Sequence, residues 1–355
     1  MKKQQELGDV YERAGTVLNA LVCEYVHKGK PVGSRRLAKI HGQGLSAATI
    51  RNVMADLEEM GFLAQPHTSA GRVPTAKGYR FHVGSLLQTK DLAIQEVSQI
   101  RQRLEEEKDP GELMHKASHV LSAFSSNVGF VLAPSVSLVS LKHIEFVKIA
   151  RRRILVILVT GTGLVQHRLI HLDQKLTQGE LNQAGRYLVT HFEGKTLREI
   201  RDELVRLMMK ERSLYNRILQ NVILLGSAGL MRSEDGEDDE SEVYWGSTAG
   251  IVQKPELADI NRLVVLLRTF EEKRRIVKII NQCLKTNPKG PTVTIGLEEH
   301  IPEMGDWALI SSPYVGKQGI SGSLGILGPS RMEYEKAISL VDYVAKLFGK
   351  LMSTN

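Results

Sequence analysis

The sequence has few cysteines and no long apolar run, and both absences limit what the protein can be. Only two cysteines, Cys23 and Cys283, occur among 355 residues, too few for a disulfide framework or a thiolate metal site. No segment approaches the ~20 consecutive apolar residues that a membrane-spanning helix needs. No apolar segment follows the first six residues, so we expect no signal peptide. These absences predict a soluble protein of the reducing cytoplasm.

A catalytic constellation is missing as well. His115 and His119 have the four-residue spacing of helical metal ligands, but no carboxylate or thiolate cluster joins them, and solvated or partly buried histidines are the better interpretation. Gly161 and Gly163 lack the rest of a phosphate-binding fingerprint and indicate a turn. The acidic residues near Glu298 have no nucleophile beside them. The sequence therefore predicts no catalytic residue, no metal site and no cofactor.

Positive charge is concentrated in one segment near the amino terminus. The whole chain has a formal net charge of +7. Nine basic and three acidic residues lie between Lys28 and Arg80, so this seventh of the chain holds an excess of six positive charges. Such a local concentration favours an anionic partner, and nucleic acid is the leading candidate.

The same segment has the pattern of a winged helix-turn-helix domain. Capping residues and apolar periodicity predict three helices, at residues 10–26, at 35–40 behind a Ser34 cap, and at 46–60 before a glycine terminator. Two short extended segments around a polar loop at 65–72 predict a two-stranded ribbon. Thr75 then caps a fourth helix. Three short helices followed by a ribbon are typical of a winged-helix DNA-binding domain.

The third helix has the surface of a helix that reads DNA. Its apolar residues form one stripe, and the opposite face begins with the small residues Ser46 and Ala47 and continues with Arg51 and Asn52. Arginine can bind guanine, and asparagine adenine, through two hydrogen bonds in the major groove. Phosphate contacts are expected from residues around this helix: Arg35, Arg36, the N–H groups behind Ser34, Lys77 and Arg80. Arg72, on the ribbon loop, is expected to reach a minor groove.

The rest of the chain predicts a mixed α+β region. A connecting helix at 92–104 and a helix opened by Asp109 and Pro110 precede four strands between residues 128 and 171. Two capping boxes, at Thr177 and Thr196, predict a helical pair within 177–226. Seven of the nine residues at 234–242 are acidic, which predicts an exposed loop. Helices at 255–268 and 271–286, three strands between 292 and 328 and a last helix at 332–347 complete the prediction.

These motifs together resemble the HrcA family of heat-inducible transcription repressors. The match is close at residues 31–35, 45–58, 66–74, 78–81 and 325–332, so it extends over nearly the whole chain. The resemblance implies an α+β architecture with a winged-helix domain at 1–87, a GAF-like domain at 88–175 joined to 245–355, and an inserted dimerising segment at 176–244. Two features depart from the family pattern: His82 replaces a usual aromatic residue, and the insert carries the acidic run.

The resemblance also implies a function. Family members repress chaperone operons by binding an inverted-repeat operator as dimers, and a GroE-type chaperonin maintains their activity. Carried onto this chain, the reading helix is 46–60 and the wing is 67–72. The residues that we expect to contact double-stranded DNA are Ser34, Arg35, Arg36, Ser46, Ala47, Thr49, Arg51, Asn52, His67, Thr68, Ser69, Arg72, Lys77 and Arg80.

Two other classes of function stay open at this stage. A regulator gated by a small molecule in the GAF-like domain would use the same DNA-binding domain, and a thermal-shift screen that finds a stabilising metabolite would favour it. An enzyme of unknown class would need a constellation that the residues above do not form.

Overall fold

The computed structural model describes most of the chain. It covers residues 2–41, 44–67, 70–86, 91–134, 139–172, 174–210, 221–226, 242–254, 264, 277, 279–280, 290–299, 301–316 and 321–354. The helices predicted at 255–268 and 271–286, and the acidic run at 234–242, lie almost entirely outside these ranges. Of the helices within them, none has the length and apolar character to cross a membrane.

The amino-terminal unit consists of four helices and a two-stranded ribbon. Its elements are α1 (Lys2–Lys28), α2 (Ser34–His41), α3 (Ala47–Glu59), β1 (Leu63–Ala64), β2 (Val73–Pro74) and α4 (Ala76–Gly84). Ser46 caps α3 and Thr75 caps α4, as the sequence predicts. Gly61 follows α3 with φ +78°, a conformation that glycine adopts without strain. The helices bury one apolar stripe each, and these stripes meet in a common core.

Two predicted boundaries in this unit are wrong. Helix α1 begins eight residues earlier than expected, because residues 2–9 are mostly good helix formers although they lack an apolar stripe. Ser34 is the first residue of α2 rather than its cap. The carbonyl of Gly33 accepts from the N–H groups of Arg36 and Leu37 at 3.0 and 3.1 Å, so the helical pattern starts one residue earlier.

A five-stranded antiparallel sheet forms the centre of the second part. Its strands are β3 (Val128–Leu132), β7 (Val243–Trp245), β8 (Thr292–Ile295), β9 (Trp307–Val315) and β10 (Ser321–Pro329), in the order β7-β3-β10-β9-β8. Helices α5 (Ile94–Glu105), α6 (Pro110–Ser125) and α10 (Tyr334–Thr354) pack against one another beside it. The short helix α9 (Ala249–Val252) follows β7. The last helix ends seven residues beyond the predicted limit.

The amino-terminal unit and the central sheet share one apolar core. Buried residues of α1, α3 and α4 belong to the same cluster as those of α6, α10 and one face of the sheet. The ring centroids of Tyr79 in α4 and Tyr334 in α10 lie 5.9 Å apart. Arg331 Nη1 donates to the carbonyl oxygen of Val26 at 2.9 Å. The amino-terminal unit is therefore packed directly onto the last helix.

A separate core joins a three-stranded sheet to two helices. The strands β4 (Leu141–Ala150), β5 (Arg153–Thr160) and β6 (Val165–His171) form an antiparallel meander. Helices α7 (Gln178–Phe192) and α8 (Leu197–Lys210) cover its inner face. Both predicted capping boxes, at Thr177 and Thr196, form. The domain boundary expected after residue 175 separates these strands from the helices with which they share a core.

Candidate nucleic-acid interface

Helix α3 places its apolar and polar residues on opposite faces. Ile50, Met54 and Leu57 are buried because they pack against α1 and α2. The Ser46 hydroxyl accepts from the Thr49 N–H at 3.1 Å, which orders the first turn. The solvent-facing residues on the other side are Ala48, Thr49, Arg51, Asn52, Ala55 and Asp56. The face on which the sequence prediction rests is therefore open to a ligand.

Arg51 and Asn52 are the polar groups of this face that can donate to a ligand most freely. Both side chains are exposed. Within the described part of the chain, neither makes a hydrogen bond or ion pair with another residue. Arginine offers five N–H donors, and asparagine offers an amide that both donates and accepts. The donors and acceptors of these two side chains are not used within the described residues. The face can therefore form paired hydrogen bonds with a base edge.

The two arginines of α2 differ in their surroundings. Arg36 Nε lies 2.5 Å from Glu24 Oε1, and Lys28 Nζ lies 3.0 Å from the same atom. Arg36 is therefore tied to α1 by a nearly buried carboxylate. Arg35 is exposed, and the described residues offer it no ion pair. Of the two arginines of α2, Arg35 is therefore the one whose charge no described residue balances.

Arg72 does not project from the ribbon loop as expected. Its Nη2 lies 2.7 Å from Glu58 Oε2, and its side chain is only 21% exposed. His67, at the other side of the loop, is exposed, while Thr68 and Ser69 lie outside the described residues. The minor-groove role expected for Arg72 needs its guanidinium to leave this pair, because a paired and half-buried group cannot extend to DNA.

Lys77 and Arg80 also make contacts within the protein. Lys77 Nζ donates to the Met60 carbonyl at 2.8 Å and lies 4.4 Å from the centroid of the Phe62 ring. Arg80 Nε donates to the Ile295 carbonyl at 3.0 Å, and its Nη2 is 3.8 Å from Glu298. Lys77 thus closes the carboxyl end of α3, and Arg80 links α4 to the central sheet. Their predicted phosphate contacts stay predictions.

His82, the departure from the family pattern, is buried at the base of the amino-terminal unit. Its Nδ1 lies 3.0 Å from Asn19 Oδ1, and the Ser85 hydroxyl donates to the same oxygen at 3.1 Å. Burial lowers the pKa of His82, and the carboxylate of Glu335 opposes this in part. His82 is therefore part of a small polar cluster with Asn19 and Ser85.

One element of the site escaped the sequence prediction. Val32, between α1 and α2, pairs with Arg72 through two backbone hydrogen bonds of 2.9 Å each. A Cβ added at Gly71 would lie 2.4 Å from the Val32 carbonyl oxygen, so only glycine permits this approach. A single paired residue has no periodicity, and the pattern of Val32 between Pro31 and Gly33 could at most have indicated an extended residue.

Neither a metal centre nor a membrane segment competes with this interface in the described ranges. Within them, no three His, Cys, Asp or Glu side chains come together as metal ligands. His115 instead stacks edge-on against Tyr244, with 4.9 Å between ring centroids, as expected for an ordinary partly packed histidine.

Comparison with known proteins links the chain to transcription repressors. The family described as HrcA protein C terminal domain matches residues 111–338. A heat-inducible transcription repressor HrcA from Geobacter sulfurreducens is 41% identical, over 97% of this chain and 98% of its own length. One from Syntrophobacter fumaroxidans is 38% identical, over 98% of both chains. The crystal structure of a hypothetical protein, 21% identical over 96% of this chain and 97% of that chain, has a similar fold with a TM-score of 0.56.

Proposed function

The chain belongs to the HrcA family of heat-inducible transcription repressors, and from this premise we propose that it represses chaperone operons by binding an inverted-repeat operator as a dimer. The observation that carries the proposal is the exposed polar face of α3, where Arg51 and Asn52 stand on a face of small side chains. A helix with a narrow, polar face can enter the major groove, and its first turns then meet the base edges.

The amino-terminal unit would act as a winged helix-turn-helix domain. In this proposal α3 is the reading helix, and Arg51 and Asn52 bind base edges. Arg35 and the free N–H groups at the start of α2 would bind phosphate, because helix amino termini attract anions. The wing, at 67–72, would lie over the adjacent backbone, and His67 in it is exposed. Asp56 and Glu59 lie toward the carboxyl end of α3, away from the duplex.

The cores support a revised division of the second part. We assign the five-stranded sheet with α5, α6 and α10 to the GAF-like domain, within 91–134 and 242–354. The three-stranded sheet with α7 and α8, within 139–226, would be the inserted dimerising segment. This division follows the apolar clusters, since β4–β6 share theirs with α7 and α8 and not with the central sheet.

The outer face of the three-stranded sheet supports the dimer. Helices α7 and α8 cover the inner face, while Val165, Leu169 and Ile149 on strands β6 and β4 are 62%, 40% and 54% exposed. Leu155 on β5 pairs with both Val147 and Leu169, so the apolar residues form one patch across three strands. A monomer rarely exposes a continuous apolar patch, whereas a two-fold dimer covers one with its own copy.

We expect Leu169→Asp to produce a monomer that binds the operator poorly. A carboxylate at residue 169, on this face of the edge strand β6, would be desolvated in the dimer without a partner. Light scattering after size exclusion gives the mass, and fluorescence anisotropy gives affinity for a full inverted repeat and for a single half-site. The full repeat should lose its advantage over the half-site by about 10²-fold or more.

A matched variant separates dimerisation from a general loss of solubility or stability. Ile94→Asp changes an isoleucine in α5 that is 89% exposed and lies outside the patch. It should remain dimeric and bind the full repeat as the wild type does. If Leu169→Asp is still dimeric, the patch is not the interface. If the wild type binds a half-site as tightly as the full repeat, the dimer proposal is wrong.

The topology also supports regulation by a chaperonin. Strand β3 pairs with β10 and β7, which lie more than a hundred residues away along the chain. Pairing over such distances is slow, and apolar surface is exposed in the meantime. Heat would occupy the chaperonin with other proteins, so the repressor would stay unfolded and the operon would be released.

Recovery of operator binding after a heat pulse should need a GroE-type chaperonin with ATP. Equal recovery without the chaperonin would contradict this.

A further inference from the structure

We propose that Arg72 is a positioning residue, which holds the wing at a set angle to the reading helix, and not a residue that contacts DNA. The proposal rests on the DNA-binding function above and concerns how that function becomes specific. Two contacts of Arg72 carry it: the paired backbone at Val32 and the ion pair with Glu58.

The backbone of Arg72 fixes the carboxyl end of the wing to the α1–α2 connection. Its N–H donates to the Val32 carbonyl, and its carbonyl accepts from the Val32 N–H, both at 2.9 Å. Val32 is buried in the core between α1 and α2. Gly71 passes so close to Val32 that a side chain would collide with its carbonyl. The carboxyl end of the wing is therefore fixed to the helical core.

The side chain of Arg72 anchors the wing to the reading helix itself. Glu58 lies in the last turn of α3, and its Oε2 is 2.7 Å from Arg72 Nη2. The two side chains are 21% and 32% exposed. Arg72 Nε is buried and has no hydrogen-bond partner among the described residues, so Nη2 makes the contact with Glu58. A pair this shielded from solvent is stronger than a fully exposed pair. Arg72 thus joins three elements, the α1–α2 connection, α3 and the wing.

This geometry has a consequence for charge. A side chain whose positive charge is balanced by Glu58 releases no counterion from DNA when the protein binds. A side chain that contacts phosphate, or lies in the minor groove, does release one, and each phosphate contact contributes about 0.9 to the slope of log K against log salt. The two roles of Arg72 therefore predict different salt dependence.

The test compares two neighbouring glutamates of the full-length protein. Glu58→Gln and Glu59→Gln each remove one negative charge from the same helix end, but only Glu58 faces Arg72. Glu59 is exposed, and no residue within the described ranges forms an ion pair with it. Anisotropy measurements with an inverted-repeat duplex and a scrambled duplex, across a salt series, give the affinity, the preference and the slope.

We expect Glu58→Gln to bind the operator about 2- to 30-fold more weakly than Glu59→Gln, because a pair of this exposure contributes about 0.2–1 kcal/mol and a dimer has two such pairs. Arg72→Ala should lose a similar part of the preference with an unchanged salt slope. The double variant should be no weaker than either single variant, since both remove one contact.

Other results would overturn the assignment of Arg72. If Glu58→Gln binds as tightly as Glu59→Gln or tighter, freeing Arg72 aids binding, which is the behaviour of a DNA contact. A decrease of about 1.8 in the slope of log K against log salt for the Arg72→Ala dimer would likewise mean that Arg72 contacts DNA. Failure of the proposed function is separate: in that case the wild type itself shows no preference for the inverted repeat over the scrambled duplex.

Discussion

We expect Arg51→Ala to abolish most of the preference for the inverted repeat over a scrambled duplex and to leave nonspecific DNA binding in place. A bidentate arginine–guanine pair contributes about 1–3 kcal/mol of discrimination, and a dimer presents two such arginines. Two pairs therefore account for a factor of roughly 30 to 10⁴ in the preference. We expect the variant to bind the inverted repeat and the scrambled duplex with almost equal affinity. The steep fall of affinity with salt should persist, because the proposed phosphate contacts are unchanged.

The structure gives a physical reason for choosing Arg51 over Arg36, Arg72 and Arg80. Arg36 is paired with Glu24, Arg72 with Glu58 and Arg80 with the Ile295 carbonyl. Arg51 is exposed on α3, and none of the described residues satisfies it. A guanidinium without an ion pair or hydrogen bond inside the protein can bind a base edge without first losing such a contact.

A matched control for Arg51→Ala is Arg103→Ala. Arg103 is exposed in α5, outside the amino-terminal unit and the outer face of the three-stranded sheet, so this variant removes the same charge from another surface. It should keep the wild-type preference. If Arg51→Ala keeps that preference as well, α3 does not read the operator through this arginine.

Gly78→Ala is expected to unfold or reshape the amino-terminal unit. A Cβ at residue 78 would lie 2.3 Å from the Phe62 carbonyl oxygen. The N-cap residue of α4 fixes this approach, since the Thr75 hydroxyl donates to the Gly61 carbonyl at 2.7 Å. Helix α4 must therefore move away from the turn that follows α3. Forced repacking of this kind costs about 1–3 kcal/mol, and more where the backbone is in the way.

Thermal unfolding followed by circular dichroism measures this cost, and operator anisotropy measures its effect on function. We expect a lower midpoint for the amino-terminal unit and a loss of operator affinity at temperatures where the wild type still binds.

The control is Gly84→Ala, in the same helix, where an added Cβ meets nothing within 4 Å. Alanine is favoured over glycine in helices by about 1 kcal/mol, so this variant should be as stable as the wild type or slightly more stable. Equal stability of Gly78→Ala and Gly84→Ala would mean that α4 does not pack on this turn as described.

Local signals in the sequence were sufficient to predict most elements. Ser46, Thr75, Asp109 and Thr177 are caps in the structure as well, because a cap depends on residues within three positions of itself. Strand β3 begins at residue 128, where the first of the four predicted strands begins. The exception, Ser34, shows that a backbone carbonyl can begin a helix without a side-chain cap.

The partners of charged side chains could not be predicted in the same way. Lys77 and Arg80 are basic and lie near α3 in the sequence, but their contacts are the Met60 carbonyl and the Ile295 carbonyl. Residue 295 is 215 positions from Arg80, and no local pattern indicates such a neighbour. Charge in the sequence therefore indicates a segment that is expected to bind an anion, whereas the fold decides which of its basic side chains already have partners within the protein.

The domain division that the resemblance implies stays a prediction. The sequence identifies β4–β6 as apolar strands, but it does not say which helices cover them. The resemblance assigned these strands to one domain and α7 to another. The common core that includes Phe146, Leu158 and Leu188 becomes visible only in three dimensions.

The central claim is that α3 gives sequence-specific binding to an inverted repeat. The most direct test is the anisotropy of a labelled inverted-repeat duplex from upstream of a chaperonin operon, with a scrambled duplex of equal length, across a salt series. The account predicts that the wild type prefers the inverted repeat by about 10³-fold or more, and that both affinities fall as salt rises. Equal binding of the two duplexes at every salt concentration would contradict it.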